Sequence, residues 1–128
     1  MSYVYNRGVY WPDVVRHAVD EVMQQAPVHR CCYSQHAEEA AKQDRFGPIK
    51  FLPPNLQLSE TDVIEAELTE TARVHKFLAR VSMGDDRDLI LVLMPRNTGE
   101  LWCKTVWINK NTDRHSTLRS KNYIQNPG

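Results

Sequence analysis

Residues 88–94 read DLILVLM, and this run decides the fold. Six consecutive apolar side chains follow Asp88 and leave no polar face, the pattern of a central strand covered on both sides. Just before it, residues 73–82 read RVHKFLARVS, in which His75, Phe77, Ala79 and Val81 alternate with Val74, Lys76, Leu78 and Arg80. That period of two is the signature of a strand. Gly84-Asp85-Asp86 supplies the turn between them. Further back, residues 63–68 read VIEAEL, with Ile64, Ala66 and Leu68 on one face and Glu65 and Glu67 on the other, followed by a polar turn at Glu70-Thr71. On the far side, Pro95 to Gly99 turns the chain into residues 101–108, LWCKTVWI. Strict alternation there puts Trp102, Lys104, Val106 and Ile108 on one face and Trp107 on the other. Four strands joined by three short turns make an antiparallel meander.

The first half of the chain has the helical period instead. Pro12 suits a first helical position, where its missing N–H would have no partner anyway. Behind it, Val14, Val15, Ala18, Val19, Val22 and Met23 draw an apolar stripe as far as about Gln25, and Pro27 ends it. A second helix is predicted from Ser34 to about Asp44. Ser34 serves as N-cap, Glu38 and Glu39 lie at the positive end of the dipole, and Ala37, Ala40 and Ala41 form a narrow apolar strip. Residues 46–60, FGPIKFLPPNLQLSE, read as a loop whose Ile49, Phe51, Leu52 and Leu56 call for burial. The expected fold class is α+β: two N-terminal helices packed on one face of a four-stranded antiparallel sheet, in a single domain over 1–128.

Length and composition agree with one globular domain. The chain has 128 residues, 41% hydrophobic and 25% charged, enough to bury a core without disulfides or metal. No apolar run is long enough to cross a bilayer, and the N-terminus lacks the apolar region of a secretory signal. A soluble cytoplasmic protein with no membrane partner is therefore expected. Three cysteines, Cys31, Cys32 and Cys103, make no disulfide framework and suit a reducing compartment. The formal net charge is zero, but residues 1–95 carry ten basic and fourteen acidic side chains, and residues 96–128 carry six and two. The basic end is a candidate contact for phosphate or for an acidic protein face.

Glycine-rich phosphate loops, dinucleotide fingerprints and nucleophile elbows are all missing from the sequence. His29-x-Cys31-Cys32-x3-His36 contains metal-type ligands, but its spacing matches no zinc site, so no metal and no cofactor are expected. The set with more chemical content joins the second helix to the basic end. If the strands carrying Lys76 and Arg80 and carrying Trp102 and Lys104 both flank the central strand, these residues converge on one sheet surface. With His36 and His115, that surface holds what metal-free RNA cleavage needs: a base for the 2′-hydroxyl, an acid for the leaving oxygen, and fixed cations for the phosphorane.

Ser34-Gln35-His36-Ala37 on a helix before the sheet, and Lys104-Thr105-Val106-Trp107 on its late strand, resemble the barnase/EndoU/RelE-type ribonuclease fold, especially its small relatives in phages and toxin systems. The resemblance covers Tyr33 to Tyr123, with residues 1–30 as an N-terminal helical extension. It implies a metal-independent, toxin-like endoribonuclease with His36, Lys104, His115 and Arg80 as catalytic residues, and Lys76, Arg114, Arg119 and Trp102 as RNA-binding residues. The alternative on the same scaffold is a non-catalytic phage or mobile-element protein that binds and inhibits a host protein. The expected partner is accordingly RNA or a host or cognate protein.

Overall fold

A computed structural model describes residues 11–84 and 86–110, together with the backbone of residues 3–6. The meander is present: β4 (Val63–Leu68), β5 (Val74–Ser82), β6 (Arg87–Pro95) and β7 (Leu101–Lys110) pair antiparallel in sequence order. The sheet is larger and mixed, however. β1 (Tyr3–Asn6) pairs antiparallel with β4, and β2 (His29–Tyr33) runs parallel to β7 along Leu101–Cys103. A two-residue β3 (Asn55–Leu56) joins the outside of β2, giving the order β1-β4-β5-β6-β7-β2-β3. The expectation of four strands is corrected by these three short ones. None is long enough to show a periodicity of its own.

Helices α1 (Asp13–Gln24) and α2 (Gln35–Lys42) cover the same face of the sheet. From α1, Val15, Ala18, Val19 and Val22 enter the core, and from α2, Ala37 and Ala41. They meet Phe77 and Ala79 of β5, Leu89, Leu91 and Leu93 of β6, and Val106 and Ile108 of β7. Residues 3–6 and 13–24 are thus part of the sheet and core, through β1 against β4 and α1 against β4 and β5. The small alanine strip brings α2 close to β7, as its sequence anticipates.

Three register shifts break the alternation that the sequence implies; one makes His75 of β5 an extra residue, so that Val74 packs against the core together with Phe77 and Ala79. Along β7, Thr105 lies opposite Val92 but Cys103 lies opposite Leu93, so Lys104 is an extra residue. Leu101 and Cys103 before the bulge and Val106 and Ile108 after it therefore all reach the core, while Trp102, Thr105 and Trp107 share the other face. This corrects the shared face of Trp102, Lys104, Val106 and Ile108 and the opposed tryptophans. Along β4, Val63 faces Ala79 and Glu65 faces Leu78, which makes Ile64 the extra residue. Val63, Ala66 and Leu68 enter the core, Ile64 joins the second face, and Glu65 is fully buried rather than solvent-facing.

The bulge on β7 is held by the start of α2. Ser34 donates its backbone N–H to the Cys103 carbonyl (3.0 Å) and its Oγ–H to the Lys104 carbonyl (2.9 Å), while the same Oγ accepts from the Ala37 N–H (2.9 Å). At the other end of the helix, Asp44 Oδ1 accepts from the Ile108 N–H (3.0 Å), where β2 no longer pairs with β7. Helix and strand edge thus satisfy each other's backbone groups. Ser34→Ala removes a helix cap and leaves the bulge carbonyl without its donor. It is expected to cost about 1–2 kcal/mol in urea unfolding; a loss under about 0.3 kcal/mol would contradict this role.

Candidate functional site

The face of the sheet that is helix-free among the described residues has an apolar floor of Leu78, Ile90 and Val92, flanked by Ile64 and Trp107. Around that floor the register sets polar and aromatic groups in rows. Arg80 of β5, Ile90 of β6 and Trp107 of β7 form one row; Glu65, Leu78, Val92 and Thr105 form the next. Lys76 lies opposite Glu67, and Trp102 opposite Met94. Because β5 and β7 both flank β6, Lys76, Arg80 and Trp102 share this face, and the bulge adds Thr105 and Trp107. Arg80 is exposed, while Lys76 and both tryptophans are half-buried. The Arg96 guanidinium lies 4.7 Å from the Trp102 ring centroid, a cation–π distance. His75, the extra residue of β5, is exposed and lies 3.9 Å from the Glu67 carboxylate.

His36 and Lys104 belong to a second group at the rim. His36 is exposed in the first turn of α2, and the hydrogen bonds of Ser34 fasten that turn to the backbone of Lys104, which is itself exposed. Arg80 lies two strands away from β7, about 10 Å at roughly 4.8 Å per strand. A ligand touching both groups therefore has to cross β6 and β7 as an extended strand. Arg114, His115 and Arg119 lie outside the described residues.

Next to this rim is a buried thiol pair. Cys31 and Cys103 lie on the paired strands β2 and β7, both facing the core, and Cys103 Sγ also lies 3.4 Å from the Thr105 carbonyl oxygen. The hydrogen bond between the two thiols, and then burial, raises the Cys103 pKa; the same bond lowers that of Cys31 against the effect of burial. Burial first, and then the hydrogen bond with Cys31, pushes the Tyr33 phenol well above its usual range. Its hydroxyl donates to the Pro53 carbonyl (2.6 Å). Cys32 points to the helix-free face beside Trp102.

The His29–His36 cluster is dispersed. His29 is buried, with Nε2 at 2.9 Å from the Val22 carbonyl oxygen; Cys31 is in the core and His36 is at the surface. Among the described residues no group of three or more His, Cys, Asp or Glu could hold a metal ion. The sequence reading missed three features. Glu65 and Trp107 were hidden by the bulges. Phe51, expected to be buried, is 70% exposed. No family model, curated protein or solved structure matches this chain.

The raised pKa of Tyr33 fixes the sign of a pH effect. The fold favours the neutral phenol, so the stability it lends is complete below the ordinary value of about 10 and is lost as the pH rises past it. Tyr33→Phe should be less stable than wild type at pH 8 by about 1 kcal/mol, for the lost hydrogen bond. The gap should narrow between pH 9.5 and 11 in chemical unfolding. A constant gap over that range would contradict the assignment.

Proposed function

We propose that this chain is a metal-independent endoribonuclease-type domain that binds single-stranded RNA across β5, β6 and β7. The observation carrying this reading is the convergence of Lys76, Arg80, Trp102, Thr105 and Trp107 on one sheet face, bordered by His36 and Lys104 at the β7 rim. Tryptophans that are half-exposed offer stacking surfaces to bases, worth about 1–3 kcal/mol per base in single-strand binding. That counts for more in a chain of zero net charge, where phosphate neutralisation alone gives modest affinity.

The chemistry follows from the groups present. The His36 imidazole can take the 2′-hydroxyl proton or return one to the leaving 5′-oxygen. Lys104 and Arg80 carry the fixed positive charge that a pentacoordinate phosphorane requires. Attack of the 2′-oxygen on the adjacent phosphorus displaces the 5′-oxygen and leaves a 2′,3′-cyclic phosphate and a 5′-hydroxyl. His115 takes the second proton-transfer role in this scheme.

A second reading, a non-catalytic protein that binds and inhibits a host protein, is favoured by Phe51. Its loop is pinned on both sides, by the Ile49 N–H on the Ala41 carbonyl (2.7 Å), by Tyr33 on Pro53, and by the Cys31 N–H on the Pro54 carbonyl (2.8 Å). A large aromatic ring held rigidly in solvent is the kind of residue that anchors protein interfaces.

The test is incubation of the protein with a single-stranded oligoribonucleotide in EDTA, with the products read for a 2′,3′-cyclic phosphate end. Wild type should cleave, and His36→Ala, Lys104→Ala and Arg80→Ala should each lose about 10²-fold or more. Phe51→Ser should cleave normally. Binding without cleavage would overturn the catalytic assignment. Neither binding nor cleavage would overturn the RNA reading altogether and leave the protein-binding one.

A further inference from the structure

Away from the helix-free face, a shallow cavity of about 230 Å³ opens between the last turn of α1, the start of β5 and the β6–β7 turn. Its polar lining is Glu21, Gln25, Arg73, Arg96 and Asn97, over an apolar base that includes Val22 and Pro95. The charges in it do not cancel. The Glu21 carboxylate is engaged by His17 at 3.3 Å, whereas among the described residues neither arginine is in an ion pair. The helix end adds little negative character, because the Val22 carbonyl already accepts from the Gln25 N–H (3.3 Å) and lies 2.9 Å from His29 Nε2.

Both arginines also stand on fixed backbone. The Thr69 N–H donates to the Arg73 carbonyl (2.8 Å) and the Arg73 N–H to Thr69 Oγ1 (3.3 Å). In the other turn, the Arg96 N–H donates to the Glu100 carbonyl (2.9 Å) and the Gly99 N–H to the Arg96 carbonyl (3.0 Å). Gly99 takes a φ of 87° there, which favours glycine. Two arginines on fixed backbone, with the neutral amides of Gln25 and Asn97 beside them, suit a compact anion with several acceptor oxygens. At roughly 30 Å³ per water, the cavity has room for one such group with several waters.

We propose that this cavity binds a phosphate monoester, supplied either by a free nucleotide or by the 5′ end of an RNA. Arg73 and Arg96 contact its oxygens, and Gln25 and Asn97 complete the shell. Neither Arg80 nor His36 lines the cavity, and although Arg96 also lies against Trp102 of the sheet face, Arg73 belongs to the cavity alone.

The experiment compares four probes by calorimetry and thermal shift: inorganic phosphate, adenosine monophosphate, a short 5′-phosphorylated oligoribonucleotide and its 5′-hydroxyl counterpart. If RNA supplies the group, the 5′-phosphorylated strand binds about tenfold tighter than its counterpart. Arg73→Gln and Arg96→Gln abolish that difference, while Arg80→Gln weakens both strands equally. If a free nucleotide supplies it, phosphate and adenosine monophosphate raise the melting temperature, an effect lost in Arg73→Gln and partly kept in Arg73→Lys. That result without any RNA binding would sink the sheet-face reading and leave the cavity standing. Equal binding of the two strands, with no response to phosphate or nucleotide, overturns the proposal. Chemical unfolding of each variant confirms that a lost response is not a lost fold.

Discussion

The carbonyl of Lys104 needs a hydrogen-bond donor, and the rest of the structure is arranged around how it gets one. An extra residue in a strand takes its backbone groups out of the ladder, at a cost of about 1–3 kcal/mol for each that is buried without a partner. At the exposed Lys104 that cost is small, and Ser34 ties the bulge carbonyl to α2 while capping the helix with the same hydroxyl. The return is larger than the outlay. Without the bulge, strict alternation would turn either Leu101 and Cys103 or Val106 and Ile108 out of the core, and burying one such side chain is worth about 1.5–3 kcal/mol.

The same constraint ties fold to function. β2 pairs with only the first part of β7, so beyond Cys103 the strand would present an open edge. The second helix closes it from both ends, with Ser34 at the bulge and Asp44 on Ile108. It thereby carries His36 to the rim, while among the described residues no helix covers the opposite face of the sheet. Where the strand changes phase, its two tryptophans come onto the face already occupied by Lys76 and Arg80. A single extra residue thus separates a surface with chemical potential from one with alternating aromatic and aliphatic positions.

Much of this architecture is legible in the amino acids, and the failures have physical reasons. The meander and both helices follow from periodicity, because each spans enough residues to repeat its pattern, and Ser34 is a recognisable cap. β2 is five residues long and parallel, so it has neither a hairpin turn nor a long alternation to announce it, and its cysteines look like metal ligands. The bulges at Ile64 and Lys104 are single residues whose signal is tertiary. Each reverses the face of everything beyond it, which is why Ile64 was placed with Ala66 and Leu68 and the two tryptophans on opposite faces, while Lys76 and Arg80 were paired correctly. Phe51 was judged by its hydrophobicity alone, whereas the hydrogen bonds at Ile49, Pro53 and Pro54 fix the loop with Ile49 and Leu52 on the core side and Phe51 outside.

The phase of β7 can be read directly from proton–proton contacts of the two indole rings in a nuclear Overhauser spectrum of the labelled protein. The account predicts contacts from Trp107 to Ile90 and Leu78, and from Trp102 to Met94 and Arg96. Contacts from either ring to Leu91, Ala37 or Ala41 would place it among the helices. They would contradict the bulge, and with it the single face on which the aromatic and cationic residues meet.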